Sequence, residues 1–227
     1  MQPNKLSARF FGIFLILAFI TYGAGSGIVA SIANEPNSLA NIYANKSSIA
    51  IGVILMALLH SFVNIGLPVI MFPLLKPINE RFTYAYLSAG ISATVVLIGG
   101  TVFTLLLLPL SDAFMEAGSA AGEHFETLRL LGVKGGFYAY QLGMAIWGVG
   151  GFFLTTLLYQ SRLVPRFISV WGFIGYAIFM SGTIFELFGY GWGVQLALPG
   201  GLFELFLSFW LIIKGFKPPA GVTESAR

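Results

Sequence analysis

Long apolar runs alternate with short polar ones along the chain, and the apolar runs set the architecture. Stretches free of acidic and basic residues cover Phe10–Ala30, Ser47–Leu75 (with His60 inside it), Phe82–Ser111, Gly135–Ser161 and Phe167–Phe185. A last stretch, Leu187–Ile213, is broken once, by Glu204. A bilayer span takes about 20 apolar residues rising about 1.5 Å each. The pattern therefore predicts six transmembrane helices, over 10–30, 48–72, 83–108, 135–159, 167–189 and 192–214. The runs are too long for strands, and barrel strands would alternate every second residue. The predicted fold class is all-α: a polytopic membrane protein, a six-transmembrane-helix bundle. Residues 1–216 read as a single transmembrane domain and 217–227 as a short polar cytoplasmic tail.

Composition strengthens this reading. The chain is 57% hydrophobic and 9% charged, whereas a soluble domain carries about 25% charged residues. A water-soluble domain and a disordered chain are both excluded. There is no cysteine, which rules out disulfides, thiolate catalysis and cysteine-held metal centres. The net charge of +3 reports topology rather than an anionic partner, and nothing points to nucleic acid. Lys5, Arg9, Lys76, Arg81, Arg162, Arg166, Lys214, Lys217 and Arg227 fall on one side of the predicted spans, against Lys46, Arg129 and Lys134 on the other. By the positive-inside rule both termini are expected in the cytoplasm. The first span has the flanks of a signal peptide, with Ser31-Ile32-Ala33 as a cleavage-like site. Its length and the charge balance favour a retained helix.

The inner links, 73–81 and 160–166, are short and leave no room for a catalytic domain. The outer segment 109–134 is longer, and in it Phe125, Leu128 and Leu131 recur every third residue. That spacing fits either a surface amphipathic helix or an outer extension of the fourth span.

Several motifs now carry a resemblance. Ser161-Arg162-Leu163-Val164-Pro165-Arg166 precedes an apolar span; Glu204 follows, and Phe209-Trp210-Leu211-Ile212-Ile213-Lys214-Gly215 closes the last one. Leu75-Lys76-Pro77-Ile78-Asn79 supplies a basic–Pro–X–Asn turn after the second span. Over about residues 10–216 the chain resembles a large bacterial family of multi-pass membrane proteins known only as a domain of unknown function. The resemblance implies a topology and a bacterial cytoplasmic (inner) membrane location, but no activity. The chain departs from the family pattern at Gly90 and Ala93, where members carry arginine and glutamate, and at Gly136 and Phe137, where they carry a His–Asp pair.

Candidate chemistry is sparse. Only two histidines are present, His60 and His124, so there is no metalloprotease pair. Glu123, His124 and Glu126 read as a solvated loop rather than a metal site. Gly23-Ala24-Gly25-Ser26-Gly27 lies inside an apolar helix and reads as a packing segment, not a nucleotide loop. Ser88 with Ser92, and Ala139 with Gly143, are spaced for close helix contact. No catalytic residue, metal or cofactor is expected. What remains lies within the membrane, where an ionisable side chain costs about 2.5–3.5 kcal/mol and is a functional candidate by default. His60 and Glu204 are placed about 18 Å deep by the helical rise, with Asn64, Gln195 and Glu186 as further ligand- or proton-binding candidates. Pro68 and Pro199 are expected to break their helices and free the carbonyls of Asn64 and Gln195. The aromatics Trp171, Tyr176, Trp192 and Trp210 read as interface anchors and core.

Three function classes compete. The leading expectation is binding or transport of a small apolar or amphipathic molecule in an intrabundle cavity, with a proton link through Glu204. A non-catalytic accessory or scaffold subunit, in contact with other membrane subunits or a second copy, is the alternative. An intramembrane enzyme comes third, because one central His and one central Glu make a thin catalytic set. The lipid bilayer is a partner in all three.

Overall fold

A computed structural model describes residues 5–34, 38–118 and 122–217. Of the predicted tail over 217–227, the part from 218 onward lies outside the described residues. The elements, in chain order, are α1 (Lys5–Ala33), α2 (Ser38–Ala44), α3 (Lys46–Ile54), a π-helical turn (Leu55–Leu59), α4 (His60–Leu75), α5 (Glu80–Ala117), α6 (Glu123–Ser161), α7 (Arg166–Leu187) and α8 (Gly193–Ile213). α3, the π turn and α4 are contiguous over Lys46–Leu75, so six helices are long and apolar enough to cross a membrane. The protein is an all-α, multi-pass bundle. Its most exposed apolar side chains, such as Phe62 at 69% and Val194 at 78%, would be a liability in water and are suited to acyl chains.

The helices differ from the sequence pattern in three ways. α5 runs on to Ala117, and α6 begins at Glu123, twelve residues before the predicted span. The segment around Phe125 is thus an extension of α6 beyond the apolar span. Leu128 and Leu131 stay exposed, and Phe125 alone of the three is buried, against Phe114. Second, α4 continues through Pro68 and α8 through Pro199, so the expected breaks are absent. Third, the irregularity sits at Leu55–Leu59, immediately before His60. That segment contains neither proline nor glycine, and its sequence gives no sign of the extra residue per turn.

The chain divides into two compact units: Met1–Leu17, Val63–Ala93 and Gln141–Arg227 form the first, and Ala18–Phe62 with Thr94–Tyr140 the second. The first has a core of Phe11, Leu67, Met71, Tyr86, Leu154, Tyr176, Phe203 and Leu207, among others. In it Arg9 donates to the Ile212 carbonyl (3.4 Å), the Lys217 N–H donates to the Leu163 carbonyl (2.8 Å), and Lys5 packs near Gly215. These contacts bring the start of α1, the α6–α7 link and the end of α8 together. Lys5, Arg9, Arg162, Arg166, Lys214 and Lys217 therefore share one end of the unit.

In the second unit, Ala33, Leu39, Ile42, Ile49, Leu107 and Phe125 are packed together. Its three cations are each matched locally. Lys46 pairs with Asp112, Arg129 grips Glu126 (2.6 and 2.8 Å), and Lys134 lies 5.4 Å from the Phe137 ring centroid. Gly25 and Gly52 let two helices touch, since an added Cβ on Gly25 would lie 2.6 Å from the Gly52 carbonyl oxygen. Gly25 is thus the packing residue of the Gly23–Gly27 segment, while an added Cβ on Gly23 or Gly27 would meet nothing within 4 Å. On α5 in the first unit, Ala89 faces Gly150, whereas Ser88 and Ser92 are exposed.

Candidate functional site

The site grows out of a close helix crossing. A Cβ on Gly175 of α7 would lie 3.1 Å from both the Gly200 Cα and the Pro199 carbonyl oxygen of α8. Glycine on both sides eases this approach, because a Cβ on either would press on the backbone of the other helix. It sets Tyr176, the next residue on α7, against Glu204, one turn beyond Gly200. From the other side α6 removes a side chain to make room: a Cβ on Gly151 would fall 2.5 Å from the Tyr176 ring. Gly172 likewise leaves space for Phe203, whose ring meets Tyr176 edge-on at 5.7 Å.

Within this frame the Glu204 carboxyl is held by two donors from two helices. Tyr176 Oη donates to Oε1 at 2.6 Å, and Trp147 Nε1 of α6 donates to the same oxygen at 3.1 Å. Ser208, fully buried one turn on, donates to the Glu204 backbone carbonyl at 2.6 Å. Oε2 has no hydrogen-bond partner among the described residues, and no lysine, arginine or histidine there forms an ion pair with the carboxyl. Tyr86 of α5 completes the cluster. Its side chain is 1% exposed, its hydroxyl has no hydrogen-bond partner, and it lies within electrostatic reach of both Glu204 and Tyr176. A buried polar atom normally finds a partner, and an orphan calls for a reason.

His60 lies in the second unit and finds its Nδ1 partners there. Its Nδ1 faces the Ala18 carbonyl at 3.2 Å and the Thr21 hydroxyl at 3.4 Å, while Tyr22 meets the ring edge-on at 5.1 Å. A carbonyl can only accept, so the contact with Ala18 assigns a proton to Nδ1. Glu204 and His60 thus have separate partners, each within its own unit. Asn64 is buried at 3% exposure in the first unit. Glu186 Oε1 accepts the Gly193 N–H at 2.7 Å, at the start of α8. Gln195 is exposed on the first turns of α8.

Of the aromatics read as anchors and core, Tyr176 belongs to the core: at 2% exposure it is buried and donates to Glu204. Trp192, at 60%, does sit on the surface. Trp147 and Tyr86 were not singled out by the sequence. The available signal was weak: Trp147 stands mid-span, where an indole N–H finds no lipid partner, whereas Tyr86 is close enough to Arg81 to pass for an anchor. At the family-variant positions, Ala93 is fully buried, and a Cβ on Gly90 would lie 3.1 Å from the Pro68 ring and 3.8 Å from Trp147. That space is already used. Among the described residues no group of three His, Cys, Asp or Glu gathers as a metal site.

With the geometry in place, comparison with known proteins adds one match. A family model described as a domain of unknown function (DUF4386) matches residues 10–215. No curated protein and no solved structure matches.

Proposed function

The chain belongs to the DUF4386 family of unknown function, and we propose that it binds or carries a small amphipathic molecule inside its bundle, with Glu204 as the polar attachment point and a proton as the occupant it displaces. One observation carries this reading. The carboxyl is fixed by two donors on Oε1 while Oε2 lacks a partner and no protein cation is paired with it. In a medium of low dielectric an uncompensated carboxylate is costly. A proton or a ligand must therefore supply what the protein withholds. Two donors from separate helices keep Oε1 occupied, so the exchange falls to Oε2.

The same reading places the end that bears Lys5, Arg9, Arg162, Arg166, Lys214 and Lys217 in the cytoplasm, because that excess of cations is what the positive-inside rule retains there. A scaffold role has its own support in Gly23 and Gly27 of α1, around which an added Cβ would meet nothing within 4 Å.

The test is binding of an environment-sensitive amphipathic dye to the protein in lipid nanodiscs. Glu204→Gln is expected to weaken binding at least about tenfold, a loss of about 1.4 kcal/mol, while the surface change Glu123→Gln leaves it unaltered. Equal binding by wild type and Glu204→Gln would remove Glu204 from the account and favour the scaffold reading.

A further inference from the structure

The ligand's chemistry can be narrowed from the atoms left without partners. We infer that the Glu204 site selects a lipophilic amine in its protonated form, whose ammonium group bridges Glu204 Oε2 and the Tyr86 hydroxyl and exchanges there with a proton. This rests on the binding role proposed above and deepens it.

Three observations point the same way. First, no protein cation pairs with Glu204 among the described residues, so the charge on its carboxylate has to be balanced by an occupant. Second, the groups available to that occupant are one carboxylate oxygen and one phenol oxygen, the latter on a side chain that is 1% exposed and unpartnered. An inorganic cation is poorly served by two oxygens, since hard cations gather about six. An ammonium needs only a few acceptors and gains further from aromatic faces. Third, such faces are present: Trp147, Tyr176, Tyr86 and Phe203 all belong to the core around the carboxyl. The surrounding core is apolar, which favours apolar substituents on the nitrogen and disfavours a hydrated cation. Carboxylic and phosphoric amphiphiles are repelled by the same charge.

The exchange balances simply. The protonated amine gives N–H hydrogen bonds to Oε2 and to the Tyr86 oxygen, and the proton that occupied Oε2 leaves to water. Besides Glu204, the titratable side chains that act on the carboxyl are Tyr176 from α7 and Tyr86 from α5. Binding should therefore weaken as pH falls, because protons compete for the same oxygen.

The experiment uses the full chain in nanodiscs with three probes of matched size: 3-phenylpropylamine, 3-phenylpropanol and 3-phenylpropionate. The amine is expected to bind at least tenfold more tightly than the alcohol, and the acid not at all. Amine affinity should fall on acidification, with about one proton released per amine bound. Glu204→Gln should abolish the preference for amine, and Tyr86→Phe should reduce it severalfold while leaving the melting temperature near wild type. Should Glu204→Gln fail to fold, Tyr86→Phe and the proton count still decide. Alcohol binding as tight as amine binding, yet lost in Glu204→Gln, would overturn this inference and leave the binding role standing. Absence of binding by all three probes would overturn both.

Discussion

Tyr176 and Gly151 show how far a single atom matters here. Tyr176→Phe removes one of the two donors on Glu204 Oε1 while keeping the ring in place, and the bundle should lose about 1–2 kcal/mol. Gly151→Ala should imitate it by another route. The added methyl would overlap the Tyr176 ring, 2.5 Å away, and either displace the hydroxyl from Glu204 or cost about 1–3 kcal/mol in strain. Thermal unfolding in detergent, combined with ligand binding, checks both. Gly151→Ala in Tyr176→Phe should then cost binding little more, since both act on the same hydrogen bond. Glu204 was legible in the sequence because a lone carboxylate inside an apolar run has no cheap explanation. Its partners were not legible in the same way. Trp147, Tyr176 and Tyr86 come from three different helices, and only the helix crossings bring them together.

At the scale of helices, the spacing of apolar runs located all six spans, and the length of the runs ruled out strands. It could not locate the end of α5 or the start of α6, because polar residues such as Glu116 and Glu126 continue a helix into water as readily as they end one. The prolines misled for a related reason: Pro68 and Pro199 lose one hydrogen bond each, yet neighbouring helices hold α4 and α8 in line. What tightens the pair α7 and α8 is glycine. Gly175→Leu should force these helices apart and destabilise the bundle by at least about 3 kcal/mol, together with the Glu204 site. Gly99→Ala should change stability by no more than about 0.5 kcal/mol, since nothing lies within 4 Å of its added Cβ. Chemical unfolding of the two variants side by side distinguishes a packing glycine from a tolerated one.

Over the whole molecule, charge is handled by position. Cations crowd one end of the first unit, the three cations of the second are matched locally, and Glu204 presents its carboxyl to Trp147 and Tyr176 with no paired cation among the described residues. Single cysteines placed at Lys217 and at Lys46 of this cysteine-free chain should label from opposite sides of the membrane, Lys217 from the cytoplasm. Glu204 is proposed as an exchangeable proton site within the bundle. Infrared difference spectra of the reconstituted protein between acid and alkaline pH test it most directly. The predicted result is a protonated-carboxyl band that disappears in Glu204→Gln, shifts in Tyr176→Phe and persists in Glu123→Gln. A spectrum unchanged by Glu204→Gln would contradict the account.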